Sequence, residues 1–253
     1  MELGAQLFTL REYTKDLPSF AETLKKVADI GYRTVQVSGT CAYEAEWLKE
    51  ELDKNGLRCV LTHYSMDKIR DNPAETAAFH KVFDCKYVGI GCAPNCFAKG
   101  EEDMTTLKAA IDAAASVFPQ EGMLLMYHNH ACEWQRSENG RKYFDRLAED
   151  YDSSVLGFTI DTFWAQYAGI TVTDLIRKMK GRVPCIHLKD LDVHVNTPVT
   201  APVGWGNLDF DAILAACEDA GAVHLLVEQD DCYEDPFVCM KKSYDFLRAR
   251  GLY

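Results

Sequence analysis

The chain has 253 residues, 47% of them hydrophobic and 26% charged, with a formal net charge of -12. That length and apolar content suffice for one large core, and closed α/β barrels of this size fold as a single domain, here residues 1–253. The acid excess argues against a nucleic-acid partner, because phosphate contacts need clustered Lys and Arg, and no run of about 18 apolar residues is present to span a bilayer. Met1-Glu-Leu-Gly lacks the basic segment and apolar stretch of a signal peptide, so the expectation is a soluble, cytoplasmic protein.

In chain order, the short apolar opening from Glu2 to Leu10 reads as a strand, and a helix over Leu17 to Ile30 follows, stopped by Gly31. Residues 34–38 read as a second strand and residues 44–55 as an amphipathic helix closed by Gly56. Arg58 to His63 makes the third strand, residues 73–83 a helix, and residues 86–91 the fourth strand, followed by a longer loop containing Pro94. An alanine-rich helix over residues 104–118 leads to a fifth strand starting at Met123. A helix over residues 143–150, a strand ending at Asp161, a helix over residues 172–179 and a strand ending at His187 come next. A helix over residues 210–220, a strand ending at Glu228 and a final amphipathic helix over residues 237–250 complete the chain. Apolar strands separated by helices are what a parallel sheet covered on its outside requires, and about eight such units fit a (β/α)8 TIM barrel. A doubly wound open sheet is the runner-up, but no GxGxxG follows the first strand and no Walker-type lysine loop occurs.

The ten cysteines are scattered, several inside apolar runs, as buried thiols would be. Only the loose Cys92-x-x-x-Cys96 resembles a zinc pair, and no second pair matches it. Cys132 differs, because it sits beside polar residues that end the fifth strand. His128, His130 and Glu133 lie there, Asp161 ends the sixth strand, His187 the seventh and Glu228 the eighth. In a TIM barrel these strand ends share one mouth, so the residues are expected to converge on one divalent metal. The mixed oxygen and nitrogen donors suit Mn2+ foremost, with Mg2+, Fe2+, Co2+ or Zn2+ as alternatives. Each residue also has a blander reading. Asp161 can cap a helix beginning near Trp164, His187 can be a satisfied core histidine, and Glu228 can pair with Lys189, which has Asp190 as another partner. Lys189 can instead polarise a substrate oxygen. Arg11 and His63, at the ends of the first and third strands, are candidates for substrate binding. Trp164, and less surely Trp134 and Trp205, offer a face for a sugar ring. Gly204 and Gly206, flanking Trp205, are expected to supply turn geometry.

The stretches Tyr127-His-Asn-His-x-x-Glu-Trp134, Ile160-Asp-Thr-Phe-Trp164, Ile186-His-Leu-Lys-Asp190, Pro202-Val-Gly-Trp-Gly-Asn-Leu-Asp-Phe210 and Val227-Glu-Gln-Asp230 resemble the xylose isomerase-like TIM-barrel family of sugar phosphate isomerases and epimerases. The resemblance covers nearly the whole chain, including Gln6-Leu-Phe-Thr-Leu-Arg11. It implies a divalent metal held by a Glu, an Asp, a His and a Glu on strands five to eight. Asp161, His187 and Glu228 match three of these. Strand five departs, with His128 where epimerase-like members place the glutamate. The fourth ligand is then His128 or Glu133, and Glu133 is favoured because it keeps the set oxygen-rich. The implied activity is isomerisation or epimerisation of a keto-sugar or related polyol, in which the metal stabilises an enediolate while a base and an acid move protons. His128 or His130 would replace one of the two catalytic glutamates, with Glu133, Glu228 and Lys189 as further participants. A lyase acting by β-elimination, on a keto-inositol or a 3-keto-glycoside, uses the same site. A DNA-repair nuclease is disfavoured by the acidity, and a non-catalytic sugar-binding barrel by the retained ligands. The expected partner is a small carbohydrate, with a homodimer as a weaker expectation.

Overall fold

Helix α1 (Leu17–Ile30) shows how local chemistry sets the elements. The Asp16 carboxylate accepts from the Ser19 amide at 2.8 Å while Ser19 Oγ bonds back to Asp16, Pro18 lies in the first turn, and Gly31 closes the helix at φ 127°. Its buried face carries Phe20, Thr23, Leu24 and Val27. The structure, a computed structural model, describes residues 1–253. Strands β1 (Glu2–Gln6), β2 (Thr34–Val37), β3 (Arg58–His63), β4 (Tyr87–Ile90), β5 (Leu124–His128), β6 (Leu156–Asp161) and β7 (Cys185–Leu188) pair in sequence. A hairpin of β8 (Asp190–His194) and β9 (Thr197–Ala201) stands outside the ring, and β10 (His224–Val227) closes it between β7 and β1. Every pairing in the ring is parallel. The expected single-domain (β/α)8 barrel is therefore the fold.

The covering helices are α1, α2 (Ala45–Asn55), α3 (Met66–Asp71), α4 (Pro73–Val82), α5 (Glu101–Ala115), α6 (Tyr143–Asp150), α7 (Thr162–Tyr167), α8 (Val172–Lys178), α9 (Phe210–Ala220) and α10 (Pro236–Arg248). Three boundaries differ from the sequence reading. The opening strand stops at Gln6, whose side chain accepts from the Phe8 amide at 2.7 Å and starts 3-10 turns over Leu7–Tyr13. The helix expected over residues 73–83 is preceded by α3, and Pro73 separates the two because it has no N–H to give and disfavours helical geometry in Asn72. The alanine-rich helix begins three residues earlier than read, since Glu101, Glu102 and Asp103 favour a helix N-terminus. The hairpin was not expected. Its turn residues Val195 and Asn196 both have positive φ, 46° and 63°, and no Asn-Gly or Asp-Gly pair advertises them.

Strand alternation explains where the chemistry goes. Leu3, Ala5, Val35, Val37, Tyr127, Phe158, Ile160, Ile186, Leu225 and Val227 face outward into the main core under the helices. Leu61, Met126, Cys185 and Leu226 form a second apolar cluster inside the ring. Gly4 and Gly157 make room for it: a Cβ there would lie 2.5 Å from Leu226 and 2.6 Å from the Met126 sulfur. Side chains two residues further along each strand point the same way, one layer nearer the C-terminal mouth. That layer holds Gln6, Gln36, His63, His128, His187 and Glu228, joined by Asp161 at the end of β6.

Candidate metal centre

His128, Asp161, His187 and Glu228 are all buried, and one donor atom from each lies within 4.8 Å of every other. His128 Nε2 is 3.4 Å from Asp161 Oδ2, and His187 Nδ1 is 2.8 Å from Glu228 Oε2 and 3.9 Å from Asp161 Oδ2. Both readings of Asp161 hold together: Oδ1 caps α7 by accepting from the Trp164 amide at 2.9 Å, while Oδ2 faces the cluster. Glu228 is divided the same way, with Oε1 accepting from Gln6 Nε2 at 2.9 Å and Oε2 turned inward.

The far nitrogens of the two imidazoles define their tautomers. His128 Nδ1 donates to the Gly91 carbonyl at 3.0 Å, and His187 Nε2 donates to Gln36 Oε1 at 2.6 Å. The lone pairs left over, on His128 Nε2 and His187 Nδ1, therefore face carboxylate oxygens. Lone pairs opposed in a buried space require a positive charge between them, either a proton or a metal ion, and outer hydrogen bonds of this kind are how metal-binding imidazoles are held. His187 Nδ1 and Glu228 Oε2 are also buried without a hydrogen-bond partner of acceptable geometry. Lys189 adds the remaining charge. Its ammonium lies 2.9 Å from Asp161 Oδ2, 3.0 Å from Glu228 Oε2 and 2.9 Å from Asp230 Oδ1, and the residue is only 1% exposed. Three carboxylates against one ammonium leave two negative charges, which a divalent cation would balance. The donor set thus fits such an ion.

Burial opposes ionisation of Asp161 and Glu228, but Lys189 and the neighbouring imidazoles outweigh it and hold both carboxyls below their ordinary values, Glu228 far below. Burial likewise lowers His187, against the pull of Glu228. For His128 the burial effect is overcome by Asp161, so its proton affinity rises. Burial and the nearby His128 hold His63 well below the usual imidazole range and push His130 down to about 3, leaving both neutral. Carboxylates outweigh burial at Lys189 and keep it protonated.

Glu133, favoured as the strand-five ligand, lies outside the cluster, and His128 is the strand-five residue within it. The carboxylate of Glu133 is fully buried, accepting from the Tyr127 hydroxyl at 2.7 Å and from the His130 amide at 2.8 Å. Tyr127 precedes His128 on the strand and so points out of the barrel. Its partner Glu133 consequently lies on the other side of the β5 wall from the metal donors. The Tyr-His-Asn-His-x-x-Glu stretch is a clasp in which Glu133 ties the loop back to the strand. Asn129 adds to it, accepting from the Asp161 amide at 3.0 Å and so fastening the end of β5 to that of β6.

His63 and His130 flank the cluster, with ring centroids 5.1 and 4.7 Å from that of His128, and His63 Nε2 and His130 Nδ1 have no partner. Trp164 lies beside them, 5.3 Å from His130 and 5.8 Å from the Lys189 ammonium. Arg11 does not reach the cluster. It follows β1 in the 3-10 turns and donates to the Asp230 carbonyl at 2.7 Å, with Asp231 at 3.5 Å. Cys132 is half-buried, and burial with the adjacent Glu133 raises its thiol; all ten cysteines are free. Trp134 stacks on Phe144 at 5.1 Å and is a packing residue. Trp205 is 60% exposed under Lys242.

The sequence reading gave no role to Gln6, Gln36 and Asp230. Amides inside apolar strands, as in Thr34-Val-Gln-Val, were the visible signal for the first two. Asp190 is no partner of Lys189. It accepts from the amides of Leu191, Gly204, Gly206 and Leu208 at 2.8 to 3.1 Å and so organises the whole loop after β7. Gly204, at φ 85°, and Gly206, where a Cβ would sit 2.5 Å from the Leu191 carbonyl, provide the expected turn geometry.

Known proteins agree with this architecture. An inosose dehydratase of Clostridium perfringens is 24% identical over 189 residues, 67% of this chain and 59% of that protein. The chain thus spans about three-fifths of the length of the first curated relatives it matches. A sugar phosphate isomerase/epimerase from Parabacteroides distasonis superposes with a TM-score of 0.81 at 19% identity, covering 98% of this chain and 93% of that one. An L-ribulose 3-epimerase superposes at 0.73 with 17% identity, covering 98% and 94%. No helix is long and apolar enough to cross a membrane. With a family profile matching residues 24–250, the chain belongs to the xylose isomerase-like TIM barrel family.

Proposed function

We propose that the protein is a divalent-metal-dependent enzyme that removes a proton next to the carbonyl of a keto-sugar or keto-polyol, and that its reaction is β-elimination, that is, a dehydratase or lyase. The observation that carries this reading is the buried His128, Asp161, His187 and Glu228 cluster with imidazole lone pairs turned toward carboxylates. Two imidazole and two carboxylate donors suit Mn2+ first, with Fe2+, Co2+ and Zn2+ close behind and the harder Mg2+ less so. Such an ion would polarise the substrate's carbonyl and adjacent hydroxyl and stabilise the negative charge that develops there.

The residues of the chain have distinct tasks. His130, neutral and with Nδ1 free, is the candidate base for the carbon-bound proton. Lys189 remains charged and holds Asp161, Glu228 and Asp230 in place as carboxylates. Trp164 offers a flat face to a sugar ring. Elimination is preferred over isomerisation because the strand-five carboxylate of the epimerase pattern is His128 here, leaving Glu228 as the only glutamate in the cluster. The proton leaves one carbon, the C–O bond at the next carbon breaks, and the products are an enone and water or an alcohol. The inosose dehydratases among the relatives perform an elimination by name. Isomerisation or epimerisation is the second reading, favoured by His63, whose free Nε2 supplies a second imidazole beside the cluster.

The test is incubation of the Mn2+-loaded protein with a panel of inososes, 3-keto-glycosides and ketoses in D2O. Enone absorbance with release of water or aglycone supports elimination. Deuterium uptake with no release supports the second reading, and neither change in any member of the panel would sink both.

A further inference from the structure

Beside the metal centre the surface opens into a second cleft of about 330 Å³, in the range of small-ligand sites. Phe163, Trp164 and Tyr167 of α7 form one wall, Val199 of β9 another, and Tyr233 the rim. The cleft adjoins the candidate active site through two of its lining residues. Trp164 lies against His130 and Lys189, and Asp230 binds the Lys189 ammonium at 2.9 Å. Large aromatic side chains are normally covered, yet Tyr167 is 53% and Tyr233 73% exposed here, both lining the same opening. Asp230 and Asp231 also line the cleft, each beside a cation: Asp230 Oδ1 is 2.9 Å from the Lys189 ammonium and Asp231 Oδ1 is 3.5 Å from Arg11.

We infer that this cleft is a subsite for a second ring, so that the substrate is a glycoside with a flat aglycone rather than a free monosaccharide. The inference rests on the elimination reading above and narrows it. The keto-sugar ring lies over the metal centre against Trp164, and the aglycone extends over Tyr167 toward Tyr233, where aromatic faces favour a planar apolar group. Cleavage at this position breaks the bond between the sugar carbon and the aglycone oxygen, and that oxygen leaves as an alcohol or phenol carrying one proton.

The experiment compares 4-nitrophenyl β-D-glucopyranoside with methyl β-D-glucopyranoside, neither of which carries the keto group, so that binding is measured without turnover. Calorimetry and quenching of tryptophan fluorescence are read on the full chain loaded with Mn2+. Aryl glycoside binding about ten-fold tighter than methyl glycoside is expected. Tyr233→Ala and Tyr167→Ala are each expected to remove that preference, and Tyr233→Ala, at a residue 73% exposed, to leave the methyl glycoside unchanged. Equal affinities, no binding of the aryl glycoside at millimolar concentration, or a preference that survives both substitutions would overturn the subsite. If the aryl preference is present but no keto-glycoside is turned over, the elimination reading fails and the subsite stands. If free keto-sugars are turned over without any aryl preference, the subsite alone fails.

Discussion

Replacing Glu133 by Gln keeps the shape of the side chain and removes its charge, which separates its two possible roles. In the structure both oxygens of Glu133 are engaged, one by the Tyr127 hydroxyl at 2.7 Å and the other by the His130 amide at 2.8 Å. A Gln can keep both bonds, accepting from His130 through Oε1 and donating to Tyr127 through Nε2, so its cost in stability is about 1 kcal/mol. Mn2+ affinity is then expected to stay within about three-fold of the wild type, since an outer-shell change would cost ten-fold or more only if it moved a ligand. His128→Ala removes a donor atom from the cluster itself, and a loss of at least about 100-fold, near 3 kcal/mol, is expected. Titration calorimetry on metal-stripped protein, with circular dichroism to confirm folding, measures both. A folded Glu133→Gln protein that loses as much affinity as His128→Ala would refute the placement of Glu133 outside the metal set. Glu133→Ala is less useful, because it orphans two buried polar groups and opens a cavity, a loss of about 3–5 kcal/mol that blurs any effect on metal.

Three other outcomes follow from the structure. Lys189→Met leaves Asp161, Glu228 and Asp230 without their cation, so the metal-free protein should lose about 3–5 kcal/mol, and Mn2+ should raise its Tm more than that of the wild type; equal Mn2+ shifts would contradict the charge balance. His80, buried between Thr62 Oγ1 and the Thr76 carbonyl, has its pKa lowered to about 4 by burial. Its folded pKa lies below the unfolded value near 6.5, so its stabilisation is complete above pH 6.5 and is lost as pH falls toward 4, amounting to about 2 kcal/mol at pH 5. Urea unfolding at pH 7.5 and pH 5 should show that loss, and His80→Gln should reduce the difference between the two pH values by a similar amount. Asp190→Ala removes the acceptor of four backbone amides, so a stability loss of about 2–4 kcal/mol is expected. Limited proteolysis should then cut within residues 191–208 long before the barrel unfolds, and unchanged protection of that loop would argue against its anchoring role.

Much of this protein is legible in one dimension because its elements are set by local rules. Apolar runs at short, regular spacing, helix caps such as Asp16 and closing glycines such as Gly31 and Gly56 act over a few residues. The order of strands and helices, and with it the barrel, follows from them. Asp161, His187 and Glu228 were visible for the same reason, since each ends an apolar run at the position where a barrel strand opens into its mouth. The fourth member was not decided that way. His128 and Glu133 are five residues apart and both polar, and only the direction of each side chain separates them: His128 shares the inward face with Met126, while Glu133 is held by Tyr127 on the outward face. The partners that orient the cluster, Gln6, Gln36 and the Gly91 carbonyl, come from strands far away in sequence, as does the hairpin that walls the second cleft. Their roles depend on closure of the ring, which brings β1 beside β10 and turns separate strand ends into one site. Sequence by itself determined the fold and three of the four members of the buried cluster; tertiary structure decided that His128 and not Glu133 joins them, because neighbouring strand residues such as Tyr127 and His128 face opposite sides of the barrel wall and Glu133 is held by the outward one.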